Sequence, residues 1–121
     1  MKTILIVEDE ESISTLLKDI FSYVEEYRVL CASDGEEALE MIRMAPPDII
    51  LLDAQLPGIN GFEICHRLKA DPITSSIKVL MLTGMIQSYY LKQAQKAGAD
   101  GYLVKPFNSV ELLDKVQACL S

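Results

Sequence analysis

The sequence predicts an α/β protein: an open, doubly wound parallel sheet of five strands with helices on both faces, three layers in all. Short aliphatic runs (Thr3 to Val7, Arg28 to Ala32, Asp48 to Asp53, Ile77 to Leu82 and Tyr102 to Val104) alternate with segments of helical apolar spacing along the whole chain. Such alternation yields parallel strands joined by right-handed crossovers. The run Asp48-Ile49-Ile50-Leu51-Leu52-Asp53 shows no apolar/polar alternation, as expected of a strand covered on both faces. Five strands in 121 residues are too few for an eight-stranded barrel. The order 2-1-3-4-5, with its switch point between strands one and three, is the leading topology.

Strand one, Thr3 to Val7, leads into the acidic stretch Glu8 to Glu11. Ile13, Leu16, Leu17, Ile20, Phe21 and Val24 then recur at helical spacing, so a helix is expected from about Glu11 to Val24. Strand two is followed by Ser33-Asp34-Gly35-Glu36, which has the spacing of a capping box. The helix it opens turns Ala38, Leu39, Ile42 and Ala45 inward and stops before Pro46-Pro47. After strand three, Asn60 to Glu63 repeats the cap spacing, and helix three places Ile64, Cys65 and Leu68 on one side before Asp71-Pro72. Helix four runs from about Gln87 to Ala97 with Tyr90, Leu91, Ala94 and Ala97 on one face and Gly98 as its stop. Asn108 to Glu111 caps the last helix, which packs Val110, Leu113 and Val116. No linker or low-complexity segment interrupts this series, so residues 1–121 are expected to form one domain.

Lys and Arg number 11 against 18 Asp and Glu, a formal charge of -7, which argues against a basic nucleic-acid face. Cys31, Cys65 and Cys119 are odd in number, far apart and set in apolar surroundings. They read as buried thiols of a reducing compartment. No apolar run approaches the ~18 residues of a membrane span, and charge at Glu8 to Glu11 ends the first run too early for a signal peptide. A cytoplasmic location follows as the expectation. His66, the one histidine, is expected at the surface of helix three.

In an open sheet of this kind ligands sit beyond the carboxyl ends of the strands. Glu8 and Asp9 follow strand one, Asp53 ends strand three, Thr83 follows strand four and Lys105 follows strand five. Singly, each has an ordinary explanation as a cap, a helix-dipole partner or a surface charge; together they are improbable as decoration. Strands one and three are neighbours in the expected order, so Glu8, Asp9 and Asp53 converge. Carboxylates that close either raise a pKa or bind a cation, and an all-oxygen site favours a hard ion, Mg²⁺ or Mn²⁺. Magnesium commonly bridges to phosphate, and a carboxylate can itself attack phosphorus to give an aspartyl phosphate. In that chemistry Asp53 is the acceptor, Lys105 neutralises phosphoryl oxygens and Thr83 hydrogen-bonds one of them.

Glu8-Asp9, Asp53 followed by Leu56-Pro57 and Gly61, Thr83 followed by a small residue, and Lys105-Pro106-Phe107 together resemble the receiver domain of two-component response regulators. The resemblance covers essentially the whole chain. The strand order is itself familiar from a chemotaxis receiver of this flavodoxin-like fold, so it is no independent sign of the family. The resemblance implies a phosphoprotein of phosphorelay signal transduction, in which Asp53 takes a phosphoryl group from a sensor histidine kinase or a histidine phosphotransfer protein. It implies metal ligation by Asp9, Asp53 and the main-chain carbonyl of Gln55, with Glu8 acting through water. It also implies a switch, in which Thr83 is drawn inward, Tyr102 repacks, and the face of helix four, strand five and helix five changes for a downstream effector or a homodimer. A cis Lys105-Pro106 bond is part of the same pattern.

Glu8 stands where Asp is commoner, Leu56 where Met is frequent and Gly84 where Ala is usual; Gln55 and Met85 occupy positions that tune dephosphorylation in the family. The start of helix four is apolar for a partly exposed segment. Core packing accounts for Tyr90, whereas for Met85, Ile86 and Tyr89 packing and a partner or dimer surface stand as alternatives. Two other functions fit parts of the pattern. An aspartate-nucleophile phosphatase of haloacid dehalogenase type needs a second Asp where Gln55 stands and a nucleophile after the first strand. An FMN carrier of the same topology needs a hydroxyl- and glycine-rich loop where Glu8 to Glu11 lie. A degenerate receiver acting only as an interaction module is the remaining alternative, although every group needed for phosphorylation is present.

Overall fold

In the computed structural model, which describes residues 1–84 and 88–121, five strands alternate with five helices: β1 (Lys2–Val7), α1 (Glu11–Ser22), β2 (Tyr27–Ala32), α2 (Gly35–Met44), β3 (Ile49–Asp53), α3 (Gly61–Ala70), β4 (Lys78–Thr83), α4 (Ser88–Ala97), β5 (Gly101–Val104) and α5 (Ser109–Leu120). The strands form one parallel sheet in the order β2-β1-β3-β4-β5. This is the expected doubly wound architecture. The centre of the sheet is β3, with all five of its residues buried.

Because side chains alternate across a strand, the central strands feed two cores. Leu5, Val7, Ile50, Leu52, Val79 and Met81 face α2, α3 and α4, meeting Ala38, Ile42, Ile64, Cys65, Leu68, Ala94 and Ala97. Ile4, Ile6, Ile49, Leu51, Leu80, Leu82 and Leu103 face α1 and α5, meeting Leu17, Phe21, Leu112 and Val116. Phe21 also stacks edge-on against Tyr27, with ring centroids 5.6 Å apart, which fixes the end of α1 against the start of β2.

Several inward positions differ from those the spacing predicts. Leu16 and Val110 are exposed by 56% and 65%, and Leu91 by 40%. The stripe that packs in α1 is Leu17 and Phe21, and in α5 Leu112 and Val116. Each buried pair is one i, i+4 step, and its apolar neighbours Leu16 and Val110 fall beyond the contact face. Ala45 ends α2 as its C-cap in extended backbone and is exposed. The cap of α2 is Asp34, whose side chain accepts from the Glu37 N–H at 2.8 Å, one residue later than the Ser33 spacing. Asn60 and Asn108 cap α3 and α5 by accepting from the N–H of Glu63 and Glu111. Met85 and Ile86, and the side chain of Tyr89, lie outside the described residues, so the surface expected there is not addressed. Among the described residues, no helix is long and apolar enough to cross a membrane.

Candidate functional site

The sheet register sets the site before any side chain is considered. Val7 pairs with Leu52, Asp53 with Leu82 and Thr83 with Val104. The ladder then runs one step further through main-chain bonds: Glu8 N–H to Ala32 O, Ala54 N–H to Leu82 O and Lys105 N–H to Thr83 O, the last at 2.7 Å. The carboxyl ends of β1, β3, β4 and β5 are thereby level. By the two-residue alternation of a strand, Glu8, Asp53 and Lys105 continue the face of Ile6, Leu51 and Leu103. Thr83 and Tyr102 continue the opposite one.

The three groups on the first face touch. The Lys105 ammonium donates to Glu8 Oε1 at 3.0 Å and to Asp53 Oδ2 at 3.4 Å. Asp53 Oδ1 accepts from the Gln55 N–H at 2.9 Å, and Glu8 Oε2 from the Asp9 N–H at 3.2 Å. Glu8 and Asp53 are buried, whereas Asp9 is exposed. Burial first, then a hydrogen bond with Asp53, pushes the Glu8 carboxyl up to about 8. Burial alone would lower the Lys105 ammonium, but its bond to Glu8 and the charges of Asp53 and Glu8 hold it above its usual value. On the other face Thr83 is fully buried and shares a hydrogen bond with the Tyr102 phenol, which partly offsets the rise that burial imposes on Tyr102. The Lys105-Pro106 peptide is cis.

Carboxylate oxygens of Glu8, Asp9 and Asp53 lie within 4.8 Å of one another. An octahedral Mg²⁺ with oxygens at about 2.0–2.1 Å spans a similar separation, and the donor set is oxygen alone. The cluster sets three carboxyl groups against the single ammonium of Lys105. Both observations fit a hard divalent cation, which this cluster could hold.

Two contributors carry no side-chain signal in the sequence. One is the Gln55 main-chain N–H that fixes Asp53. The other is Gly61, where a Cβ would meet the Asp53 carbonyl and would stand 2.8 Å from Ala54 Cα; its close approach is hinted at only by the residue type. Beside the site an open cleft of about 860 Å³ leads from Asp9 and Gln55 between Glu63 and His66 of α3 and Tyr90 and Lys96 of α4. His66 is exposed on its wall.

A family model described as the response regulator receiver domain matches residues 4–117. The alkaline phosphatase synthesis transcriptional regulatory protein PhoP of Bacillus subtilis is 40% identical over 98% of this chain and 48% of its own length. The DNA-binding dual master transcriptional regulator RpaA of Synechocystis sp. is 41% identical over 99% of this chain and 49% of its own. The chain thus spans about half the length of the curated relatives it matches. The chemotaxis protein CheY4 of Vibrio cholerae superposes with a TM-score of 0.92 at 32% identity, over 99% of both chains. The register that levels an acidic cluster, a buried threonine and a lysine at one end of the sheet, together with these matches, places the chain in the receiver-domain family of two-component response regulators.

Proposed function

We propose that the chain is the phosphoryl-accepting switch of a phosphorelay, with Asp53 as the acceptor. The observation that carries this is the setting of the Asp53 carboxylate: Oδ1 is tied to the Gln55 N–H and Oδ2 faces the Lys105 ammonium at 3.4 Å, with Asp9, Ala54 and Gln55 beside it lining an open cleft. An Asp53 oxygen attacks the phosphorus of a phosphohistidine on a sensor histidine kinase or histidine phosphotransfer protein. The phosphorus–nitrogen bond breaks, and the imidazole nitrogen leaves with the electron pair. Lys105 offsets charge on the transferred oxygens, and the Thr83 hydroxyl hydrogen-bonds one of them.

Asp9, Asp53 and the Gln55 main-chain carbonyl would hold Mg²⁺ or Mn²⁺, with Glu8 acting through water, and the ion when bound would screen the repulsion between carboxylate and phosphoryl anions. Thr83 shares its hydrogen bond with Tyr102 in this state, so recruiting Thr83 to the product loosens Tyr102 on β5. The face of α4, β5 and α5 then changes for a downstream effector or a second copy of the chain. The chain's enzymatic role extends only to its own phosphorylation and dephosphorylation, and a cytoplasmic location belongs to the same reading. The position of Asp53 at the end of β3 and not after the first strand, with exposed Gln55 two residues on, does not favour the dehalogenase-type phosphatase.

Incubation with Mg²⁺ and acetyl phosphate followed by intact-mass measurement tests the assignment. One phosphoryl adduct is expected on the wild type and none on Asp53→Asn. Equal labelling of both would remove Asp53 as the acceptor, and an unlabelled wild type would favour a degenerate receiver. Hydrodynamic size with and without beryllofluoride tests the dimer; a monomer in both states would remove it.

A further inference from the structure

We propose that α4 is a lever hinged at its carboxyl end, which tips towards α3 across the cleft between the two helices; this is a property of the chain as it stands and does not depend on the role of Asp53. The length of α4 is held unequally. Each of the other helices carries at least one large buried side chain: Leu17 and Phe21 in α1, Ile42 in α2, Ile64 and Leu68 in α3, Leu112 and Val116 in α5. Among the described residues of α4 the buried ones are Ala94 and Ala97, both in its second half, and alanine removes little apolar area from water. Leu91 is 40% exposed, and Tyr90 and Gln93 are half-buried.

The carboxyl end, by contrast, is clasped. The N–H groups of Gly98 and Ala99 donate to the carbonyls of Gln95 and Ala94 at 3.1 and 3.0 Å, the paired bonds of a Schellman motif, and Gly98 supplies the positive φ of 88° that it needs. The buried Cys65 thiol of α3 donates to the Ala97 carbonyl at 3.4 Å. The Lys69 stem lies against Gly98, where a Cβ would stand 3.1 Å from Lys69 Cγ, and its ammonium pairs with Asp100 at 2.7 Å. Asp100 is bonded to Val79 of β4 in both directions, its N–H to the Val79 carbonyl and its carboxylate to the Val79 N–H, each at 2.8 Å. Past this clasp the helices part. Phe62 and His66 of α3 line the open cleft of about 860 Å³ together with Tyr90 and Gln93 of α4, so the lever has room to move. A segment with few buried apolar contacts lies at the low-stability end of a fold, and hinges form at element ends, often on small residues. Ala94 and Ala97, with no side chain beyond Cβ to interlock with α3, and Gly98 make the joint.

Backbone ¹⁵N relaxation dispersion on the wild-type chain alone tests the hinge. Exchange on the microsecond-to-millisecond scale is expected at Leu91, Lys92 and Gln93 and is expected to be absent at Ala99, Asp100 and Val79. Equal dispersion in both groups, or none at Leu91 to Gln93, would overturn the proposal. A pair of variants separates a hinge from general softness. Gln93→Trp fills the cleft and should abolish the dispersion at Leu91 and Lys92; if it persists, α4 does not move into the cleft and the lever is wrong. Lys69→Met opens the clasp and should extend exchange to Ala99 and Asp100 while Leu17 and Phe21 of α1 stay quiet. An equal rise in α1 would show that Lys69 serves overall stability alone, and would remove the clasp as the anchor of the hinge.

Discussion

Gly61, the first residue of α3, lies directly against the main chain of Asp53: a Cβ at position 61 would meet the Asp53 carbonyl oxygen and stand 2.8 Å from Ala54 Cα. Its N–H also donates to the Ala54 carbonyl at 3.1 Å. The start of α3 is therefore seated on the residue that carries the proposed acceptor carboxylate. These obstructing atoms are backbone, so they yield only if the loop moves. Gly61→Ala is expected to lower stability by about 1–3 kcal/mol, read from the urea midpoint, and to slow labelling by acetyl phosphate. An unchanged midpoint would mean that the loop yields without cost.

The start of α2 separates two neighbouring candidates. Asp34 accepts from the Glu37 N–H at 2.8 Å, whereas Ser33 reaches only the exposed Glu37 carboxylate, at 3.2 Å. An N-cap removed to alanine costs roughly 1 kcal/mol, and an exposed side-chain contact much less. Asp34→Ala should therefore lower the denaturation midpoint clearly and Ser33→Ala scarcely. The reverse order would place the cap at Ser33 after all.

These two positions also show what the chain discloses by itself. The strand order and the meeting of Glu8, Asp9, Asp53 and Lys105 are legible, because unbroken aliphatic runs mark buried strands and topology carries their ends to one edge; Thr83 reaches that edge on the opposite face, beside Tyr102. The cap of α2 was off by one, since Ser33 and Asp34 are both good caps and only the backbone decides where the helix turns. The spacing points to Val110 as a core residue, whereas Leu112 is the one buried, because the segment is apolar on both sides of the stripe that packs. Hidden altogether was the pairing of Glu8 with Lys105, residues 97 apart in sequence. Topology brings them near, but only side-chain geometry shows that the lysine prefers Glu8 to Asp53.

Away from the site, Lys69 joins three elements. Its ammonium bonds Asp100 at 2.7 Å and also donates to the carbonyls of Ser75 and Ile77. Asp100 in turn accepts from the Val79 N–H at 2.8 Å, so α3, the start of β4 and the loop before β5 close on one charge pair. Both side chains are partly buried, at 18% and 26% exposure, which limits screening by salt. Lys69→Met keeps the aliphatic stem and removes the charge, leaving two carbonyls and Asp100 short of a donor. A loss of about 1–3 kcal/mol is expected, little changed by added salt. A loss that vanishes in salt would place the pair in the weak, exposed class.

Cys65 links this corner to alkaline stability. It is fully buried, and its thiol donates to the Ala97 carbonyl at 3.4 Å. Burial, opposed in part by Lys69 and reinforced by Asp100, pushes the thiol from 9.0 up to about 11. In the unfolded chain the thiol loses its proton near the lower value, and in the folded chain near the higher one. Stability from this group is therefore complete below pH ~9 and is lost as the pH rises to ~11. The loss amounts to about 2–3 kcal/mol. Tyr27, Tyr102 and Cys119 are raised as well and act in the same direction, so the Cys65 share is isolated by substitution. Cys65→Ala should be less stable at every pH because its smaller side chain leaves a void. Its decline between pH ~9 and ~11 should nevertheless be shallower than that of the wild type. Urea midpoints measured across that interval check this, and parallel curves would show that Cys65 keeps an ordinary thiol. The same burial protects it chemically: under native conditions alkylation should reach the partly exposed Cys31 and Cys119 well before Cys65.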